Sequence, residues 1–380
     1  MHRSTEIRLI KEIIGLAEQQ SAYLDNSIAE SPIMRYTDEG RFKAEFEKLF
    51  KGQPVIVAHA SELDRPRAFT TKQFLGLPVL LTRGDDGTVS AFLNVCRHRG
   101  ATLERGESGC KRIFTCPYHC WSWRSDGALH AVPHEAEGFP DLDHTARRLR
   151  ALPVVEAHGF IWLIADPNSN ARLNIADWLG ELDADLQWLE LSEHRIAVSE
   201  SMVVEANWKL LVEGGLEAYH FRVAHKQTIA PYFPDNLSTY TLVGPHVRSV
   251  LPRTTLVDLR GTPEADWQIR RDANLLYSLL PNAQLLVQQD HVVWVHAEPL
   301  AVNRTRLQLT TLVPAQSPET DEMAAHWARN QQISVATLNE DFELGEEIQT
   351  GLLAGANPSH LFGRFEGALA HYNAAVEAAL

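Results

Sequence analysis

Two short segments, Cys96-Arg97-His98 and Cys116-Pro117-Tyr118-His119, constrain this chain more than anything else in it. Together they read C-x-H-x17-C-x2-H, so each offers one thiolate and one imidazole. Such loops have a common use only if the fold carries them to one point, where two sulfurs and two nitrogens share a metal centre. Two centres accept that set. One is tetrahedral zinc; the other is a [2Fe–2S] cluster with cysteines on one iron and histidines on the other.

The spacing separates them. Zinc fingers pair Cys with Cys and His with His, whereas here each loop carries one of each. Pro117, Gly100, Gly106 and Gly109 supply tight turns around a cluster. The pattern therefore points to the Rieske type of [2Fe–2S] cluster, held by Cys96, His98, Cys116 and His119. Neutral imidazoles in place of two thiolates make such a cluster easier to reduce, so the chain is expected to handle single electrons.

A length of 380 residues with 44% hydrophobic content suits about two domains with a sizeable core. The net charge of −14 argues against nucleic acid or an anionic membrane as partner. No apolar run approaches the ~20 residues that span a bilayer. Residues 1–21 read as an amphipathic helix, with Ile7, Ile10, Ile13, Ile14 and Ala17 on one side and no signal-peptide pattern. A cytoplasmic location is expected. The two remaining cysteines, Cys110 and Cys120, read as buried fillers or unreactive thiols that form no disulfide in a reducing compartment.

Three segments are expected: 1–39 helical, 40–160 around the cluster, and 161–380. Within the second, short strands at 54–59, 78–82, 89–94 and 128–132 alternate with turns at 84–87 and Asp126-Gly127, and another strand at 160–164 marks its exit. In the third, residues 178–191 and 208–223 have helical periodicity. Strand-like runs follow at 285–289, 291–297 and 306–313, then a long helix over 320–353 and a short one over 365–380. Strands crossed by a long helix indicate an α+β domain.

A second constellation lies in residues 207–225. Glu217 and His220 are spaced i, i+3 and share one helix face. His220 and His225 are spaced i, i+5, about 140° out of phase on an ideal helix. Both reach one ion only if the helix widens or ends between them, and Gly214-Gly215 weakens it just upstream. Two histidines and a carboxylate make the facial triad of non-haem iron(II) oxygenases. Spacing alone does not choose the carboxylate among Glu340, Asp341, Glu343, Glu346 and Glu347.

The cluster loops, Asn207-Trp208-Lys209, Glu217-x-Tyr219-His220-x4-His225 and the acidic run Glu340-Asp341-x4-Glu346-x2-Gln349-x-Gly351 together resemble the Rieske non-haem iron oxygenase α-subunits, the ring-hydroxylating oxygenases. The resemblance implies a small all-β Rieske domain followed by a helix-grip (START-like) catalytic domain with an antiparallel sheet. It implies that Asp341 completes the mononuclear iron site with His220 and His225. It implies a [2Fe–2S] cluster, Fe(II) and O2 as co-substrate, with electrons from an NAD(P)H-dependent reductase, directly or through a ferredoxin.

A head-to-tail homotrimer is also implied, in which the carboxylate at position 217 bridges one subunit's iron histidine and its neighbour's cluster histidine. The family usually has aspartate there; the glutamate is similar to members that oxidise carnitine and glycine betaine. The extra bridged cysteines of high-potential Rieske proteins are absent, since Ala101 and Tyr118 stand at those positions. The expected activity is mono- or dioxygenation of a small organic molecule, an aromatic one in the first reading; the alternative is oxidative demethylation or hydroxylation of a quaternary ammonium compound. Its pocket is expected under residues 226–294, with Tyr232, Phe233, Tyr240, Tyr277 and Trp294 as walls and Arg248, Arg253 and His246 as polar contacts. An electron carrier needs only the cluster loops and leaves the second constellation unused.

Overall fold

The computed structural model describes all 380 residues, which form two compact units: Phe50–Ile175, and Met1–Leu49 together with Ala176–Leu380. The expected cuts near 40 and 160 therefore fall later in the chain, and the N-terminal segment is part of the larger unit. Helix Arg3–Glu18 explains why. Alone, a helix of that length is marginal in water, but it buries Leu9, Ile10, Ile13 and Ile14 against residues 254–261 and the strand Thr239–Val243. Each such side chain contributes about 1.5–3 kcal/mol when fully buried.

The smaller unit is all β apart from short turns of helix. Its main sheet has the antiparallel order Ala151–Leu152, Val89–Leu93, Leu77–Arg83, Ala68–Phe74, Ser108–Cys110. Two three-stranded sheets complete it, one around Phe160–Leu163 and one around Ser122–Arg124. Gly127 makes the turn after Ser122–Arg124 at φ +78°, and a Cβ there would sit 2.5 Å from the Phe92 ring. Phe69, Leu80, Phe114, Trp121 and Trp123 form the core, and Cys96 and Cys116 are built into it.

The larger unit carries a seven-stranded antiparallel sheet. Its order is His194–Val204, Arg304–Pro314, Val292–Ala301, Ala283–Val287, Ala273–Leu279, His246–Pro252, Thr239–Val243. Helix Asp321–Leu353 packs on the first two strands, burying Trp327, Gln331, Ser334, Thr337, Phe342, Gly345 and Gln349 along one stripe. Gln331 has its amide satisfied by Thr311 Oγ1 at 2.6 Å and the Leu309 carbonyl at 3.2 Å. This is the α+β arrangement of a sheet gripped by a long helix.

Two local expectations fail. The helix expected over 208–223 stops at Glu213: residues Gly214–Leu216 tighten into a 3₁₀ turn, Glu217 is extended at φ −141°, ψ 166°, and a short turn, Phe221–Ala224, follows. The two glycines and the packing of Ala218 and Phe221 on Leu251 and Leu276 override helical periodicity. The strands 239–243, 246–252 and 273–279 gave no alternating signal, because His246–Pro252 and Ala273–Leu279 are buried on both faces.

Candidate metal centres

In the smaller unit, the two cluster loops close on themselves. The Cys96 N–H bonds the Ala101 carbonyl at 2.8 Å, and the Cys116 N–H bonds the Trp121 carbonyl at 2.8 Å. Asn94 staples the base of the first loop through two bonds of 2.8 Å to the Glu104 backbone. The cysteines are buried and the histidines only half-buried, so sulfur lies inward and imidazole outward.

Burial pushes the Cys96 thiol up, against the backbone N–H groups of His98 and Arg99 aimed at its sulfur and with the facing Cys116 thiol adding to the rise. Two confronted buried thiols lose their protons only when a cation takes the charge of the thiolates. His98 stacks on Trp121 (4.7 Å, 6°) and stands edge-on to His119 at 4.7 Å. Its Nδ1 is buried with no hydrogen-bond partner. An orphaned acceptor beside paired thiols fits a cluster bound by Nδ1. Desolvation, with the charges of His119, Arg99 and Arg147, holds the ring below its usual range and so neutral, as a ligand must be. All four cysteines are free, and Cys110 and Cys120, expected as buried fillers, are exposed.

In the larger unit, the chain brings His220, His225 and Asp341 together. His220 Nε2 and His225 Nε2 are 3.1 Å apart, and Asp341 Oδ1 lies 3.4 Å from the first and 3.1 Å from the second. Ligand atoms at right angles around an ion 2.0–2.2 Å away stand about 3 Å apart, so this triangle matches one face of an octahedron. Burial alone would keep His220 neutral, yet the hydrogen bonds its ring donates to the Asp341 and Glu217 carboxylates push it up to about 10. The same pair of imidazoles, against burial, holds the Asp341 carboxyl below its ordinary range. The field favours positive charge at the centre of the triangle.

The surrounding residues fix each ligand. Glu217 accepts from the His220 ring at Nδ1 and from the backbone N–H groups of Tyr219 and His220, so it caps the turn that aims the ring. Glu340 accepts from His225 Nδ1 at 2.7 Å and from the Thr228 hydroxyl at 2.6 Å. Outer partners of this kind set the ring orientation and strengthen the ligand.

The rest of the acidic motif clamps the lead-in to the histidines. Glu346 accepts from the Glu205 N–H at 2.9 Å, and Gln349 from the Asn207 N–H at 2.8 Å. Asn207 caps the following helix, accepting from the Lys209 N–H at 3.0 Å. Gly345 leaves room for Leu211, which a Cβ would approach to 3.0 Å. Glu343 and Glu347 face solvent. The structure thus separates five acids that spacing could not.

The expected polar contacts of a pocket under 226–294 are otherwise engaged. Arg248, Tyr277, Leu285 and Trp294 are cross-strand partners on one sheet face, where Arg248 pairs with buried Asp185 at 2.7 Å. Ser249, Leu276 and Leu286 share the opposite face, and Leu251, Leu276 and Leu286 pack towards Ala218 and Phe221 beside the triangle. The period-two pleat puts the predicted cation on the wrong side. His246 is committed to the Trp178 carbonyl and the Leu280 N–H, and Arg253 to Asn274 at 3.1 Å.

A cavity of about 610 Å³ instead opens beside the triangle, lined by Glu213, Glu217, His220, Asp341, His360 and Glu366 among apolar residues from 344–369. No Lys or Arg lines it. Glu213 and Glu366 carried no sequence signal, and Glu340 was legible only as one of the five acids.

Comparison with known proteins identifies both domains. Residues 53–153 match the Rieske [2Fe-2S] domain, and residues 188–380 match the ring hydroxylating alpha subunit (catalytic domain). The carnitine monooxygenase oxygenase subunit of Escherichia coli (strain K12) is 34% identical over 208 residues, covering 54% of this chain and 53% of the relative. The chain thus spans about half the length of that relative. The glycine betaine monooxygenase oxygenase subunit of Chromohalobacter salexigens is 28% identical over 353 residues, covering 83% and 78%. Among solved structures, a quaternary ammonium Rieske monooxygenase in complex with L-carnitine superposes with a TM-score of 0.77 at 23% identity, covering 93% of this chain and 96% of that one. No helix is long and apolar enough to cross a membrane. With a Rieske domain followed by this catalytic domain, the chain belongs to the ring-hydroxylating oxygenase α-subunit family of Rieske and non-haem iron proteins.

Proposed function

We propose that the chain is the terminal oxygenase of a multicomponent system. In this reading Cys96, His98, Cys116 and His119 hold the cluster, and His220, His225 and Asp341 hold one further iron. The observation that carries it is the triangle of donor atoms with edges of 3.1–3.4 Å, in a chain that also has a Rieske domain. The metal, when bound, supplies O2 activation at positions the facial triad leaves open. The protein's own part is positional: Glu217 aims the His220 ring, Glu340 aims that of His225, and the acidic cavity wall favours a cationic visitor.

An NAD(P)H-dependent reductase, directly or through a ferredoxin, supplies the electrons. The Rieske edge carries Arg97, Arg99 and Arg147, with Tyr118 exposed, against the carboxylates of the cavity beside Glu217. That complementarity supports docking of one copy's cluster edge on the next copy's catalytic unit, as a closed homotrimer. Two exposed free cysteines, Cys110 and Cys120, fit a cytoplasmic setting.

The substrate class favoured is a quaternary ammonium compound, on Glu217 and on the carnitine and betaine relatives. An aromatic substrate is the second reading, favoured by the ring-hydroxylating family match. Substrate-dependent O2 uptake with a surrogate reductase, screened over betaines and aromatic acids, decides between them. Anaerobically purified protein should contain one iron beyond the two of the cluster; a chain that keeps only cluster iron and binds no added Fe(II) is an electron carrier, and the oxygenase reading is lost.

A further inference from the structure

The carboxylate of Glu213 is in an unusual position for an acid. It is 5% exposed, at the end of helix Trp208–Glu213, and lines the same cavity as Glu217, His220 and Asp341. Its hydrogen-bond partners are neutral: Oε1 accepts from the Tyr36 hydroxyl at 2.9 Å and from Asn373 Nδ2 at 2.7 Å, while Oε2 has only a 3.2 Å contact to the same hydroxyl. Ser31 backs this pair, 3.1 Å from Tyr36 and 3.2 Å from Asn373 Oδ1.

The neighbouring charges do not neutralise it directly. Lys209 is held by Glu45 at 2.6 Å, both 1% exposed, and Glu45 also takes Arg41 at 3.0 Å. Tyr372 is buried close by without a charge, and His360 stacks on Tyr36 at 4.7 Å. A buried carboxyl without a contacting cation keeps its proton more readily than one in water. Burial pushes Glu213 up to about 7, although Asn373, Tyr36 and the charges of Lys209 and Arg35 pull the other way.

We propose that Glu213 is the proton store of the cavity, releasing a proton from Oε2 to the oxygen being reduced there. This rests on the oxygenase reading. Hydroxylation of R–H by O2 with two electrons from the reductase and two protons gives R–OH and H2O. Glu213 supplies one of those protons, becomes a carboxylate held by Tyr36 and Asn373, and is reloaded from cavity water. The other acids are less suited. Glu217 is committed to His220 and the backbone; burial and the charge of Glu217 push Glu366 up as well, but its Oε2 is tied to the Gly363 N–H at 2.5 Å, which closes the turn at 363–366. A carboxyl tuned close to neutrality both holds and yields a proton at working pH. Glu213 is a proton-holding and proton-delivering residue, apart from the metal ligands.

The test uses the full-length holoenzyme with Glu213→Gln and Glu213→Asp. Infrared difference spectra between pH 6 and pH 9 should show a protonated-carboxyl band titrating near 7, absent in E213Q and displaced in E213D. E213Q should retain iron and cluster, keep KM, and lose kcat by roughly 10²-fold or more, with E213D restoring part of it. A titrating band that survives in E213Q, no titrating band in the wild type, or E213Q turning over at the wild-type rate overturns the proposal. The two readings fail differently. Loss of all wild-type turnover removes the oxygenase and the delivery step with it, whereas wild-type turnover equalled by E213Q removes only the proton store.

Discussion

Glu340 holds Nδ1 of His225 at 2.7 Å, while the very next residue, Asp341, lies 3.1 Å from Nε2 of the same ring. Successive residues on a helix diverge by ~100°, so one turn of Asp321–Leu353 reaches both edges of the imidazole. Glu340→Ala should therefore lower Fe(II) affinity by about 10–100-fold while Asp341→Ala abolishes it. Anaerobic Fe(II) titration of the cluster-loaded protein measures both. Equal affinity of wild type and E340A would show that His225 needs no backing.

Glu217 holds His220 and caps its turn, yet supplies no atom to the triangle. Glu217→Ala should keep both metal centres and slow turnover by at least 10–100-fold. Metal analysis and the visible spectrum report the centres; steady-state oxidation tests the proposed coupling between copies. His220→Ala, by contrast, should lose the mononuclear iron and leave the cluster spectrum intact.

Gly215 sits where the segment carrying Glu217 crosses the sheet. A Cβ there would lie 2.9 Å from Gln284 Nε2 and 3.1 Å from Leu276 Cδ2, and Gln284 is itself tied to the Val212 carbonyl and to Ser278. Neither neighbour yields cheaply. Gly215→Ala should destabilise the fold by about 1–3 kcal/mol, read as a lower thermal midpoint.

How far the sequence reaches depends on whether a residue's partners are local. The cluster loops were legible because each carries its Cys and His within four residues. The helix Asp321–Leu353 was legible because its buried stripe recurs at steps of three to five residues from Trp327 to Gln349. The break after Glu213 was visible only as a weakness at Gly214-Gly215, since the packing of Phe221 on Leu251 and Leu276 that enforces it comes from distant strands. Tyr36 and Asn373, which meet Glu213 across 177 and 160 residues, left no local trace. Arg248 and Trp294 were expected at the pocket but lie on the other sheet face, because strand 246–252 is buried on both faces and carries polar His246, Arg248 and Ser249 on both, so its pleat could not be phased from hydropathy.

Acid should weaken the larger unit through His246. The ring is fully buried, donating from Nε2 to the Trp178 carbonyl and accepting at Nδ1 from the Leu280 N–H, and burial lowers it to about 4 against that first bond. Because the folded value lies below the unfolded one of 6.5, the stabilisation is intact above pH 6.5. It is lost as pH falls towards 4, by about 3 kcal/mol in all. Denaturant unfolding of wild type and His246→Gln at pH 7.5 and pH 5 should show the difference between the two proteins shrinking at the lower pH. An unchanged difference would mean that His246 protonates freely in the fold.

The triangle has sides of unequal stiffness. Asp341 stands on an unbroken rod of 33 residues braced by Thr311 through Gln331 and by Asn207 through Gln349. His220 and His225 hang from short turns between Gly214 and Ala224. An anchor of this sort keeps the carboxylate in place while the cavity wall varies around a different guest, so changes of substrate range should accumulate at wall positions such as Leu344, Ile348 and Leu361 rather than at Asp341.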